Sequence, residues 1–241
     1  MAREFIKWLA VAPGSCWLDV GCGTGALTQT VLEQATPGEV VGIDPSAAYI
    51  ASAGARMSDN PRARLEIGDA QALRAATAAF DVVVCGLVLN FVSQPELAVA
   101  EMARVTRPGG TVAAYVWDYA EGMQLMRYFW DAAGGLDLKA KELDEGHRFS
   151  ICQPEPLGDL FLTAGLEDVE VLGIEVPTYF RDFDDYWSPF LGGQGPAPSY
   201  AMSLSEEKRA ELRERIRTIL PSDQAGGIPL TARAWAIRGI R

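Results

Sequence analysis

Residues 18–27, Leu-Asp-Val-Gly-Cys-Gly-Thr-Gly-Ala-Leu, constrain what this chain can fold into more than any other ten residues. An apolar run, Trp17 to Val20, meets three glycines at alternate positions, Gly21, Gly23 and Gly25. An amphipathic stretch with Leu27, Val31 and Leu32 on one face follows. Such a succession is a strand, a tight turn and a helix. Glycine lets the backbone of the turn adopt φ > 0 and lets a ligand approach without a Cβ in the way. The helix start then offers N–H groups that have no intrahelical partner.

The pattern continues. Val40-Val-Gly-Ile43 reads as a second strand and Ser46 to Met57 as its helix, Arg64 to Ile67 as a third strand, and Phe80 to Cys85 as a fourth, interrupted only by Asp81. Ser93-Gln-Pro-Glu96 reads as a capping box opening a helix to about Val105. Arg107-Pro-Gly-Gly110 turns the chain into a fifth strand, Thr111 to Trp117. Continuous apolar strands alternating with helices predict a parallel sheet covered on both faces. Beyond this point the pattern changes. Residues 119–150 read as helical pieces around Gly134-Gly135, 156–164 as a helix ended by Gly165, and Val169 to Val176 as a strand. A Gly/Pro segment, 192–198, precedes a helix whose box is Ser203 and Glu206, and Leu230 to Ile240 reads as the last strand.

Several functions are disfavoured by composition. Lys and Arg number 21 against 32 Asp and Glu, a net charge of −11, with no basic run to hold a phosphate backbone. Nucleic acid is therefore not an expected partner. No apolar stretch reaches the roughly 18 residues of a membrane span, and residues 1–12 lack a signal-peptide core, so a cytoplasmic protein is expected. Cysteines 16, 22, 85 and 152 form no C-x-x-C pair, and the single His147 offers no partner set, so no metal site is expected.

Three carboxylates mark the strand ends. Asp19 precedes the first glycine by two residues, where it can face an ammonium or sulfonium and would repel a diphosphate. Asp44, followed by Pro45 and Ser46, ends the second strand, where it can accept both hydroxyls of a ribose or cap the next helix. Asp69, in Gly68-Asp-Ala-Gln71, can accept from an adenine amino group while the Ala70 N–H donates to a ring nitrogen. Gly21, Gly23 and Ala26 also satisfy the dinucleotide pattern G-x-G-x-x-G/A, and nicotinamide enzymes use an acid like Asp44.

Asp-x-Gly-x-Gly-x-Gly at 19–25, Asp44, Gly-Asp-Ala at 68–70, Phe80 to Val92 and Arg-Pro-Gly-Gly at 107–110 together resemble the class I S-adenosylmethionine-dependent methyltransferases. The likeness is to their small-molecule branch, methyltransferase type 11, typified by ubiquinone- and menaquinone-biosynthesis enzymes. It covers about residues 15–118. It implies a doubly wound, Rossmann-like α/β fold with a seven-stranded sheet of order 3-2-1-4-5-7-6, the last strand antiparallel, and helical cap insertions. The whole would be one domain over 1–241, with the caps at 119–150 and 177–227. The cofactor implied is S-adenosylmethionine, held by Asp19, Gly21, Cys22, Gly23, Thr24, Gly25, Asp44 to Ser46 and Gly68 to Gln71. Cys85, Gly86 and Leu87 would lie by its methionine part.

The departures are also informative. Cys85-Gly-Leu-Val stands where enzymes methylating the amino groups of bases or of glutamine carry Asn/Asp-Pro-Pro-Tyr/Phe. Relatives often carry a longer amino-terminal lid than the 15 residues here, so that role is either absent from this sequence or falls to 119–150. Aromatic residues crowd 115–130 and 179–190, packing the added helices or lining a pocket at the carboxyl edge of strands 4 and 5, with Trp117, Tyr128 and Trp187 as candidate walls. His147 is the candidate general base, in what reads as an exposed turn. The expected function is in-line methyl transfer to a small apolar or aromatic acceptor. The alternative is a non-catalytic, cofactor-binding regulator.

Overall fold

The protein is described by a computed structural model covering residues 1–192 and 195–241. Of the Gly/Pro segment 192–198, residues 193 and 194 lie outside the described residues. In chain order the elements are α1 (Ala2–Leu9), β1 (Cys16–Val20), α2 (Ala26–Gln34), β2 (Glu39–Asp44), α3 (Ala47–Met57), β3 (Ala63–Ile67), β4 (Phe80–Gly86), α4 (Pro95–Val105) and β5 (Thr106–Trp117). Then follow α5 (Gln124–Gly134), α6 (Ala140–Leu143), α7 (Glu145–Arg148), α8 (Pro154–Thr163), β6 (Glu167–Phe180), α9 (Phe183–Trp187), α10 (Pro196–Ser203), α11 (Glu206–Ile219) and β7 (Ile228–Ile240).

The strands form a seven-stranded sheet of order β3-β2-β1-β4-β5-β7-β6. Pairings β1–β2, β1–β4, β2–β3 and β4–β5 are parallel. β7 runs against β5: the Gly109 amide bonds to Arg241 O, and the Asp118 amide bonds to Arg233 O.

The chain divides into two compact units. One comprises Met1–Val116, Pro154–Ile174 and Trp235–Arg241, the other Trp117–Gln153 and Glu175–Ala234.

In the first unit the central strands are buried on both faces. Leu18, Val20, Val40, Val82 to Val84 and Val112 to Ala114 are all core, as continuous apolar runs require. Asp81 is the exception with a task. Its Oδ2 accepts from the Cys16 amide at 2.8 Å and its Oδ1 from Arg107 at 2.6 Å, tying β1 to β4 and to the Arg-Pro-Gly-Gly corner. That corner interrupts β5 instead of preceding it: Phe80 pairs with Thr106 and Val82 with Thr111, so 107–110 bulge out of the ladder. Residues 2–9 form a helix that the sequence reading did not assign. It buries Phe5, Ile6 and Leu9, with Phe5 against Tyr115 at 4.7 Å between rings.

Two capping expectations are corrected. α4 is entered through Gln94, and the Ser93 hydroxyl donates to Gln71 Oε1 (3.0 Å) instead of capping. α11 is capped by Ser205, which accepts from the Lys208 amide. Ser203 ends the preceding helix and donates to Tyr200 O. In both cases the hydroxyl donates to a neighbouring oxygen instead of accepting from an amide of the helix it was expected to cap.

The second unit is organised around rings. Phe129 stacks on Phe190 at 4.4 Å between centroids, meets Trp130 edge-on and lies near Trp187 and Tyr200. Each fully buried aromatic stabilises by roughly 1.5–3 kcal/mol through the apolar area removed from water. Asp118, buried, pairs with Arg233 at 2.5 Å. Among the described residues no helix is long and apolar enough to cross a membrane, and no group of three or more His, Cys, Asp or Glu is placed to hold a metal.

Candidate functional site

Parallel strands bring the residues after β1, β2, β3 and β4 to one edge of the sheet, the edge at which ligands of open α/β sheets bind. The turn after β1 is built by its glycines, with φ of 74° at Gly21, 55° at Gly23 and 89° at Gly25. The Gly21 and Cys22 amides both donate to Ile43 O at 2.8 Å, so the turn is stitched to the end of β2. The three glycines do different things. A Cβ at Gly21 would lie 2.6 Å from Val88, and one at Gly25 would run into Met57, so the protein's own packing requires both. A Cβ at Gly23 would meet nothing within 4 Å. That open space is where a ligand backbone can approach.

Asp44 is 8% exposed and organises the same turn. Its Oδ2 accepts from the Gly23 amide at 3.0 Å and its Oδ1 from the Ser46 amide at 2.8 Å. Each carboxylate oxygen keeps a second acceptor site. The helix-capping role falls to Ser46, which accepts from the Tyr49 amide. Pro45 and Thr24 are exposed beside the turn.

Asp19 lies beneath the turn and is 1% exposed. Its Oδ2 accepts from the Thr28 hydroxyl at 2.6 Å, and its Oδ1 is buried without a partner. Burial pushes its carboxyl up to about 6, opposed by the Thr28 hydroxyl and amide and reinforced by the Asp44 charge. Among the described residues no cation is one of the groups acting on it. Burial and the Asp19 charge also push up the thiols of Cys22 and Cys85 and the phenol of Tyr115, so these stay neutral. Gly42 of β2 leaves room for this arrangement. A Cβ there would lie 3.1 Å from both Cys22 Sγ and Thr28 Oγ1 and 2.7 Å from Leu65.

After β4, Gly86 packs under Tyr115, and Leu87 holds φ at 61° with its amide donating to Tyr115 O at 2.8 Å. Left-handed backbone at a leucine is uncommon and marks a constrained position. After β3, Asp69 Oδ1 accepts from the Gln71 amide and side chain, while Gln71 Oε1 accepts from Ser93 Oγ and the Gln94 amide. The Gly68–Gln71 turn is thereby latched to the start of α4, with Asp69 exposed and Ala70 half-buried. The loop beyond is clamped from α4: the Leu73 amide donates to Glu101, and Arg104 donates to Leu73 O and Ala75 O. The structure thus brings the sequence-predicted residues of β1 to β4 to one edge. Thr28, Val88 and Gly42 were missed by the sequence reading, because their signal is a contact across the sheet.

A family described as a methyltransferase domain matches residues 18–114. A trans-aconitate 2-methyltransferase of Deinococcus radiodurans is 32% identical over 115 residues, 48% of this chain and 43% of that one. The chain spans less than half the length of this and the other curated relatives it matches first. A demethylmenaquinone methyltransferase of Shouchella clausii is 30% identical over 185 residues, covering 70% of this chain and 77% of that protein. The chain belongs to the methyltransferase family.

The fold is also that of solved structures. The YcgJ protein of Bacillus subtilis superposes with a TM-score of 0.65 at 18% identity, covering all of this chain and 97% of that one. The remaining candidates fall in the second unit or at its start. Trp117 and Tyr128 are half-buried, whereas Trp187 is core, stacked on Phe183 and tilted against Phe190. His147 is 69% exposed on its side chain, and its Nδ1 lies 3.3 Å from Oδ2 of buried Asp144. Asp144 is fixed by Arg127 and by the Gly146 amide. Neighbouring Glu145 is buried, accepts from Trp130 Nε1, and has its carboxyl pushed up by burial.

Proposed function

We propose that this chain is an S-adenosylmethionine-dependent methyltransferase acting on a small acceptor. The observation that carries the reading is Asp19, a buried carboxylate directly under the glycine turn for which the described residues supply no cation. Opposite charge is what such a group needs, and the cofactor's ammonium and sulfonium meet that need where a nicotinamide dinucleotide's diphosphate does not.

In this reading the second acceptor sites of Asp44 take the ribose hydroxyls, Asp69 and the Ala70 amide take the adenine edge, and the open side of Gly23 lets the cofactor approach. The backbone from Cys85 to Leu87 borders the methionine part. When bound, S-adenosylmethionine supplies an electrophilic methyl group. The residues of the chain then bind, orient and exclude water. Alignment of acceptor, methyl and sulfonium can contribute roughly 7–11 kcal/mol without a dedicated catalytic group.

Relatives named for demethylmenaquinone and for trans-aconitate support an acceptor of small-molecule size. We assign acceptor reading to the second unit, with Trp117, Tyr128 and Trp187 as apolar candidates and an apolar or aromatic acceptor as their match. His147 is the candidate proton acceptor: its Nδ1 is turned to Asp144, which leaves Nε2 for an acceptor hydroxyl. The net charge of −11 argues against a nucleic-acid acceptor. The four unpaired cysteines suit a reducing, cytoplasmic setting.

Two measurements test the reading. S-adenosylhomocysteine at 100 times its Kd should stabilise by roughly 2.7 kcal/mol, a Tm rise of about 5–10 °C for a chain of this size, with no rise from NAD or NADP. An acceptor screen across quinols, phenols and small carboxylic acids should then release S-adenosylhomocysteine with at least one class. Binding without release on any of them would favour a cofactor-binding regulator instead.

A further inference from the structure

We propose that Thr28 is a positioning residue for the cofactor: its hydroxyl occupies one oxygen of Asp19 and so holds the carboxylate in place as the buried counter-charge for the cofactor's cation. The inference rests on the proposed reading of the glycine turn as the cofactor site, and deepens it by naming what keeps that site charged.

The geometry is specific. Thr28 is fully buried in the first turns of α2, and its Oγ1 lies 2.6 Å from Asp19 Oδ2. Asp19 Oδ1 is buried with no hydrogen-bond partner among the described residues. The hydroxyl is thus the side-chain donor that Asp19 has. Around Asp19, β2 presents Asp44, the turn Cys22, β4 Cys85 and β5 Tyr115. Every one of these is acidic or neutral, so no neighbouring cation takes over if the hydroxyl is removed, and the Thr28 amide alone is left opposing the effect of burial. The cause of the raised carboxyl is burial first, and the Thr28 hydroxyl is the largest influence opposing it.

A chemical consequence follows. At mildly acidic pH the empty site carries a proton on Asp19. A cation within about 4–6 Å favours the carboxylate, so cofactor entry ejects that proton to solvent. The carboxyl O–H bond breaks, its proton passes to water or buffer, and one cation enters, so the charge of the site is balanced and no bond of the cofactor changes. Without the Thr28 donor the carboxyl would hold its proton to higher pH, and the cofactor would compete with that proton even at neutrality. A charge-assisted hydrogen bond of this kind moves the midpoint by about one to two pH units.

The experiment is isothermal titration with S-adenosylhomocysteine, whose ammonium is the probe cation, from pH 5 to 8.5 in pairs of buffers of different ionisation enthalpy. The natural chain should release close to one proton per ligand at pH 5–5.5, falling towards none by pH 8, and its affinity should drop below about pH 6. Thr28→Val should bind about two- to tenfold more weakly at pH 7, release a proton there, and approach the natural affinity at pH 8.5. Thr28→Ser should restore the natural profile. Asp19→Asn should bind weakly, with no proton release at any pH.

A Thr28→Val chain with the natural pH profile, or weakened equally at all pH values, overturns the positioning role and leaves the cofactor reading intact. Natural affinity in Asp19→Asn overturns the cofactor reading of Asp19 itself. Absence of proton release by the natural chain at pH 5.5 overturns the counter-charge, whether or not the Thr28→Val chain folds.

Discussion

The two units of this chain solve the same packing problem with opposite materials. The first is built on backbone demands: glycines at φ of 55–89°, an amide pair shared on Ile43 O, and carboxylates buried at strand ends. The second is built on rings, with Trp130, Trp187, Phe190 and Tyr200 gathered around Phe129. A backbone demand admits one residue type at one position. A ring cluster tolerates exchange as long as volume is kept. The first unit should therefore lose binding when single atoms change, and the second should lose stability in proportion to the volume removed.

The sharpest way to break that contrast is Phe129→Ala. Phe129 is fully buried among four rings, and such truncations cost roughly 3–5 kcal/mol. Chemical denaturation should show that loss, and S-adenosylhomocysteine affinity of the folded fraction should stay within about twofold. Next in size is Asp44→Ala. It removes the acceptor of the Gly23 and Ser46 amides together with the proposed ribose contacts, and affinity should fall about ten- to 150-fold, or 1.5–3 kcal/mol. Calorimetry showing unchanged affinity would reduce Asp44 to a holder of the turn.

Third is a pH effect on the empty protein. Because burial raises the folded-state carboxyl of Asp19 to about 6 from the ordinary 3.8, the folded chain binds that proton more tightly than the unfolded one. Ionised Asp19 therefore costs stability above pH 6, and the cost disappears as pH falls through 6 towards 3.8. Asp19→Asn should stabilise the cofactor-free chain at pH 8 by an amount on the order of 1–3 kcal/mol, with the difference gone near pH 4. Urea unfolding at the two pH values measures it. The smallest effect separates two serines: Ser205→Ala should cost about 1 kcal/mol by uncapping α11, while Ser203→Ala should be close to neutral.

The same contrast explains how far the sequence could be read. The turn was legible because residues 21–25 state a backbone conformation, and Asp19, Asp44 and Asp69 because they recur at the ends of successive strands, although Asp44 and Asp69 also hold amides of their own turns. The strand order matched what the resemblance implied. What escaped was anything decided by distance across the sheet. Thr28 looks like any polar residue of a helix until Asp19 is seen 2.6 Å away. Ser93 and Ser203 carried good capping patterns and were diverted by Gln71 and Tyr200. The helix at 2–9 was overlooked because its stripe, Phe5, Ile6 and Leu9, spans little more than one turn. In the second unit composition announced aromatic packing but not which ring meets which, since rings carry no register.

Gly42 has a meaning for anyone redesigning this chain. By residue preference alone, the interior of β2 invites valine or isoleucine, and a design procedure scoring local propensity would make that change first. The added methyl groups would arrive where Thr28 Oγ1 and Cys22 Sγ already sit, 3.1 Å from the first added carbon. A better strand would thus be obtained by prising the hydroxyl from Asp19. The vacancy on β2 is a component of the site, and a library that spares every polar residue of the turn but randomises this glycine would still erase what the turn holds.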